Sequence, residues 1–174
     1  MKNGYAKIEP FRIRTESFQI EGNSWQELLE KLMRKNTAFQ INTMDFRRGC
    51  ERVKQAILGA AAAFMDAGVP PDDSRTIIGY GHDGSFAENR RYFDDYTNHG
   101  RDAGRGQLFV GTLPTTPLCE TAIALQMHGP VFYLDCDEEQ LRQEIALCEG
   151  GVLLLRFDGN TLESHCMGKN SCGS

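Results

Sequence analysis

Residues 129–141 read GPVFYLDCDEEQL. Four apolar residues, Val131, Phe132, Tyr133 and Leu134, run straight into acids and a thiol, and the chain then opens a helix with almost no loop between. A sharp strand-to-helix turn is where many α/β enzymes present a nucleophile. The stretch therefore predicts a strand, an elbow and a helix from about Asp137 to Glu149. It also makes Cys136 the first residue to weigh as a reactive group.

Working outward, the helix after the elbow carries Leu141, Ile145 and Cys148 as one stripe at helical spacing. It leads into VLLLRF and TLESHCM, two runs joined at Asp158-Gly159, a strong hairpin signal. Upstream, TTPLCETAIALQMHG predicts a helix with Thr116 as N-cap, Pro117 at the first helical position and Gly129 past the end. RTIIGYG, residues 75–81, reads as a short buried strand. Between these, SFAENRRYFDDYTNHG opens with a capping box, Ser85 and Glu88, and offers Phe86, Phe93 and Tyr96 as a core-facing stripe.

A further helix over about 47–67 places Val53, Ile57, Ala61 and Phe64 on one face. Its run GAAAAF lets another backbone approach closely, and Gly68-Val69-Pro70-Pro71 stops it. The N-terminal YAKIEPFRIRTESFQI alternates as half-buried strands do, with Pro10 at a bend, and SWQELLEKLM follows behind its own capping box, Ser24 and Glu27. Strands alternating with helices predict an α/β layer: a mostly parallel sheet with helices on its faces, closed by a C-terminal antiparallel hairpin. The 174 residues suit a single domain over 1–174.

A net charge of −5 argues against a nucleic-acid or anionic-membrane partner. The chain does not open with a basic segment and an apolar core, so no signal peptide is expected, and no apolar run reaches the roughly 20 residues of a membrane span. The expected compartment is the cytoplasm. The glycines of GRDAGRGQLFVGT do not follow a strand and open a helix in phosphate-binding order, so no cofactor is expected. Six cysteines, Cys50, Cys119, Cys136, Cys148, Cys166 and Cys172, form no CxxC pair. They read as reduced thiols rather than disulfides, and the tail HCMGKNSC lacks zinc-ligand spacing, so no metal is expected either.

From about Gly22 to Phe157 the order of these pieces resembles the N-terminal half of a β-ketoacyl synthase, a condensing enzyme of the thiolase-like fold. GNSWQELLEKL is similar to the family's first helix. RGCERVKQAILGAAAAFMDAGVPPDDSRTIIGYG is similar to its alanine-rich helix, turn and strand. FVGTLPTTPLCETAIALQMHGPVFYLD resembles the approach to its nucleophile. The family continues as GPxxxxDTAC, with the catalytic cysteine three residues past the aspartate. Here Asp135 holds the aspartate position, Glu138 the nucleophile position, and Cys136 falls two residues early. The family's two catalytic histidines belong to a C-terminal half that has no counterpart in this stretch. The resemblance thus implies a truncated, catalytically degenerate relative, a pseudoenzyme whose elbow is kept as architecture.

It also implies association. In the thiolase fold the strand resembling PVFYLD pairs across a dimer, which nominates Phe132 and Tyr133 as interface residues. A half-size copy would leave one face of its layers without its complement. The expected function is that of a non-catalytic ketosynthase-like accessory protein in fatty-acid or polyketide-type biosynthesis, much as chain-length factors accompany a catalytic chain. It would form a homodimer or a heterodimer with a ketosynthase, or recruit an acyl carrier protein. An acidic carrier would need a basic patch, for which Arg90, Arg91, Arg101 and Arg105 are the candidates. The alternative is a small cysteine-dependent acyltransferase or thioesterase-like enzyme using Cys136 or Cys119. The latter lies in the first turn of its helix, where the dipole favours a thiolate. Glu138 as a general base is a further candidate, set against the ordinary preference of acids for a helix start.

Overall fold

The structure, a computed structural model, describes residues 3–100 and 106–168; Arg101, Arg105 and Cys172 lie outside the described residues. The alternating N-terminus forms three strands, β1 (Gly4–Glu9), β2 (Arg12–Thr15) and β3 (Gln19–Glu21), which bury Ile8, Ile13 and Ile20 on one face. Pro10 and Phe11 make the two-residue turn between β1 and β2, with Phe11 at φ 61°. Helix α1 (Trp25–Lys35) starts at Ser24, whose hydroxyl accepts the Glu27 N–H at 3.2 Å. There follow α2 (Glu51–Ala67), β4 (Thr76–Tyr80), α3 (Phe86–His99), α4 (Gly106–Gly111), α5 (Thr116–Leu125), β5 (Val131–Leu134), α6 (Glu138–Leu147), β6 (Val152–Asp158) and β7 (Thr161–Met167).

All seven strands join one sheet in the order β3-β2-β1-β7-β6-β4-β5. Only β4–β5 and β4–β6 run parallel; the other four ladders are antiparallel, which corrects the expectation of a mostly parallel sheet. The reason is local. Two-residue turns at Pro10–Phe11 and Gly159–Asn160 force antiparallel partners, whereas a parallel pair needs a helical crossover. The C-terminal hairpin expected around Asp158-Gly159 is present as β6–β7.

Helix α2 is the centre of the packing. Every residue but Glu51, Lys54 and Met65 is buried, and the helix lies against β1 and β7 on one side and α5 on the other. The approach needs Gly59, because a Cβ there would sit 2.5 Å from Leu162 Cδ2 and 3.2 Å from Ile8 Cγ1. The polar groups it buries are engaged. The Asp66 carboxylate accepts the Tyr5 and Ser17 amides at 3.0 and 2.9 Å and the Ser17 hydroxyl at 2.6 Å, tying α2 to β1 and to the β2–β3 turn. Arg75, also buried, donates to Asp72 at 2.8 Å and to the Met167 carbonyl at 2.7 Å.

Helix α6 covers part of the opposite face, packing Leu141, Ile145 and Cys148 against Ile78, Val152 and Leu154. Beyond it, charged outward residues of β1, β2 and β7 are paired, Lys7 with Glu163 at 3.4 Å, Arg12 with Glu21 at 2.8 Å and Arg14 with Glu9 at 3.9 Å, and the Tyr5 and His165 rings lie 5.0 Å apart. An antiparallel sheet tolerates water on one face when its residues alternate in this way.

Helix α3 departs furthest from expectation. None of its residues is buried, and Phe86 and Phe93, read as core-facing, are each 68 % exposed. Ser85 makes no side-chain cap, and Glu88 does not close the expected box; its Oε2 is buried without a hydrogen-bond partner among the described residues.

Candidate functional site

The parallel strands β4, β5 and β6 end side by side, and open α/β sheets place ligands beyond such carboxyl ends. Three segments meet there: the loop 81–85 after β4, the elbow 135–137 after β5, and the end of β6. At the elbow, Asp137 is the helix N-cap. Its carboxylate accepts the Gln140 N–H at 2.8 Å while the Gln140 side chain accepts the Asp137 N–H at 3.2 Å, a complete capping box. Glu138 becomes the first residue of α6 and pairs with Arg156 of β6 at 3.0 Å. The Arg156 guanidinium in turn lies 5.6 Å from the centre of the Tyr80 ring.

Cys136 stands just outside the helix and packs half-buried against the cluster of Ile78, Tyr80, Leu141 and Val152. Burial, and after it the neighbouring Asp137 and Asp135 carboxylates, push its thiol above the ordinary cysteine range. A nucleophilic cysteine requires the opposite, an environment that favours the thiolate. Cys119 is exposed in the first turn of α5, on the other side of the sheet from α6. The two candidate thiols are not brought together.

The elbow does acquire a histidine. His82 Nδ1 lies 3.2 Å from Asp135 Oδ1, and its Nε2 lies 3.3 Å from the Tyr80 hydroxyl. These residues are 53 positions apart, and no motif spacing links them. The β4–β5 register does, because pairing Tyr80 with Leu134 sets the next residues of both strands in adjoining loops. With both ring nitrogens engaged, the imidazole acts as a clip between the loops. Arg52, buried in the first turn of α2, holds the same loop by donating to the Asp83 carboxylate and the Gly84 carbonyl, with its guanidinium 5.2 Å from the Phe157 ring centre. The Tyr133 hydroxyl donates to the Gly81 carbonyl at 2.8 Å. Sequence reasoning missed Arg52, an unremarkable cation on a helix whose importance depends on which loop faces it.

β5 is an edge strand with β4 as its one neighbour. Phe132 faces the α6 side and stays 52 % exposed, while Tyr133 turns to the opposite side and packs half-buried against the core. Of the expected basic patch, Arg90 and Arg91 are exposed on α3, and Arg90 lies 4.0 Å from Asp94. The His128 backbone N–H donates to Asp73 Oδ1 at 2.9 Å, and its ring Nδ1 lies 3.1 Å from the same oxygen. Helix α5 ends at Gln126, with φ 55°, ahead of Gly129. Among the described residues no group of three or more His, Cys, Asp or Glu side chains could hold a metal ion, and no helix is long and apolar enough to cross a membrane.

No protein-family model matches the sequence, and comparison with curated proteins gives no match. Solved structures do match. A chain from a ketosynthase in complex with its chain length factor, from Xenorhabdus doucetiae, superposes with a TM-score of 0.62 at 11 % identity, covering 97 % of this chain and 78 % of its own. A chain of the ishigamide ketosynthase/chain length factor superposes with a TM-score of 0.60, also at 11 % identity, covering 98 % of this chain and 62 % of its own. The agreement spans nearly the whole chain. The chain has a ketosynthase-like fold.

Proposed function

We propose that the protein is a non-catalytic, ketosynthase-like accessory subunit of polyketide- or fatty-acid-type biosynthesis that associates with a ketosynthase through the edge of its sheet at β5. The observation that carries this reading is the chemistry of the elbow. Counted along the motif that resembles the family's, the nucleophile position falls at Glu138, which pairs with Arg156, and the thiol of Cys136 two residues before it is made less acidic by burial and by flanking carboxylates. Both structural neighbours come from assemblies of a ketosynthase with a chain length factor, which supports a partner of that kind. The exposed edge strand supplies unpaired backbone groups for it.

The test is a pull-down of the tagged chain from its native cell extract with identification by mass spectrometry. Recovery of a full-length ketosynthase, lost in the F132D variant, is the expected result. Recovery of neither a ketosynthase nor a carrier protein, from an extract shown to contain both, sinks the reading. Alkylation at neutral pH addresses the cysteine-enzyme alternative. Cys119 should react as an ordinary exposed thiol and Cys136 more slowly, whereas a Cys136 that reacts first would return the elbow to chemistry.

A further inference from the structure

On the α5 side of the sheet, away from the elbow, the turn before α2, the start of α2, α4 and α5 enclose an open cavity of about 240 Å³. That volume lies below the roughly 300 Å³ at which pockets for drug-sized ligands begin, so it suits a small molecule. Part of the lining is apolar, with Cys50 and Val53 at the start of α2 and Val110 from α4. Burial, and with it the Glu88 carboxylate, pushes the Cys50 thiol up, so it lines the cavity as a neutral group and not as a nucleophile. The charged lining comes from two short segments. The turn that binds the Arg48 N–H to the Asp45 carbonyl at 3.0 Å supplies Asp45 and Arg48. Thr116 and Glu120 stand one turn apart on α5. Among the described residues Asp45, Arg48 and Glu120 have no ion-pair partner, although the cavity holds both signs of charge.

Glu120 is half-buried, and its carboxyl is raised by that burial and by the charge of Asp45. Carboxylates set together without a cation between them are unfavourable, and such arrangements gather at binding sites. Beside them, Glu88 Oε2 is buried without a hydrogen-bond partner among the described residues, and its charge is felt at Cys50. A metal does not fit the set: among the described residues no group of three or more His, Cys, Asp or Glu side chains could hold one. A primary ammonium does fit. It has N–H donors for Glu120, for Asp45 and for the Thr116 hydroxyl oxygen, whose own proton goes to the Val110 carbonyl at 2.6 Å. Arg48, which is exposed, is then left to receive an anion, and a carboxylate on the same molecule supplies it. We propose that the cavity binds a small zwitterion of the α-amino-acid class, with its ammonium on Glu120 and Asp45, its carboxylate on Arg48 and a short apolar side chain against Val53 and Val110. Neither β5 nor the elbow lines the cavity, so the assignment stands apart from the accessory-subunit reading.

The test is isothermal titration of the full chain at neutral pH with matched probes: L-valine, isobutylamine, which lacks the carboxylate, and isovalerate, which lacks the ammonium. L-Valine should bind with one site per chain, isobutylamine about tenfold or more weakly, and isovalerate not measurably. R48A should bring L-valine down to the affinity of isobutylamine while leaving isobutylamine itself unchanged. E120Q should weaken both by about tenfold or more. Far-UV circular dichroism establishes that each variant is folded, and because Arg48 is exposed, R48A keeps the test decisive where E120Q fails to fold. Isobutylamine that binds as tightly as L-valine, with R48A without effect, overturns the zwitterion. Absence of binding by both L-valine and isobutylamine, or binding indifferent to both substitutions, overturns the site.

Discussion

Alanine-rich α2 is buried almost all round, whereas α3, with two tyrosines and two phenylalanines in its 14 residues, buries none of its residues. By hydrophobic payload the order should be the reverse, since aromatic side chains carry the most apolar area per residue. The difference lies in how near a backbone can come. Gly59 and the alanines that follow it let α2 settle directly onto β1 and β7, and each apolar atom there gains neighbours on several sides. Helix α3 instead packs mainly on α4, with Tyr92 and Phe109 in edge contact at 5.9 Å, and leaves Phe86 and Phe93 to the outside. Large exposed apolar side chains gathered on one element mark a surface for interaction more often than an accident of packing.

The strongest way to break that contrast is within α2. Phe64 is fully buried, with the Phe39 ring edge-on at 6.3 Å and the Arg75 guanidinium 5.5 Å from its centre. F64A should cost about 3–5 kcal/mol, read as a lower urea midpoint at an unchanged slope. A loss under about 1 kcal/mol would mean that α2 is not the centre of the core.

Asp66 comes next. Burial alone would raise its carboxyl, but the hydrogen bonds from the Ser17 hydroxyl and from the Tyr5 and Ser17 amides outweigh it and hold the group below the ordinary carboxylate range. A folded-state value lower than the unfolded one means the native state prefers the ionised form. The stabilisation is therefore complete above the unfolded carboxylate range and is lost as pH falls through the folded value. D66N should cost about 1.5–3 kcal/mol at neutral pH and flatten the acid limb of a pH–stability curve below about pH 4. An unaltered acid limb would remove Asp66 from the account.

On the α3 side the expectation is a small effect. F93S in the isolated chain should leave stability within about 0.5 kcal/mol, measured by the same denaturation, because the ring has little to lose. A cost comparable with that of F64A would show that α3 packs on the body after all, and the contrast would collapse. A comparably small effect belongs to the elbow. E138Q removes an exposed pair with Arg156 and should shift stability by less than about 1 kcal/mol, with the difference vanishing in high salt. A larger, salt-independent loss would give Glu138 a role the elbow's geometry does not explain.

Much of this could be read from the chain before folding was considered. The Ser24 cap of α1, the Gly68 stop of α2 in the left-handed region, the hairpin at Asp158-Gly159 and the strand–elbow–helix over 129–141 are all present. The stripe of Leu141, Ile145 and Cys148 faces the sheet as its spacing predicts. Other local signals did not hold. Ser85 and Glu88 have the right spacing for a capping box, yet Ser85 makes no side-chain cap, the Glu88 Oε2 is buried without a hydrogen-bond partner among the described residues, and the box stays open. Thr115, not Thr116, precedes the first turn of α5.

What the sequence by itself determined are the features settled within one turn or one hairpin: caps, stops, tight turns, the alternation of β1 and β2, and the identity of the residue at the elbow. These rest on dihedral preferences and hydrogen bonds between near neighbours, so a short window contains their cause. Only the tertiary structure decided the antiparallel pairing of β1 with β7, the clip from Asp135 to His82, the hold of Arg52 on the loop after β4, and the exposure of α3 and of the β5 edge. Each of these is set by which strands lie side by side and in what register. Register is fixed by the burial of whole faces at once, a sum over residues far apart in the chain that no local pattern contains.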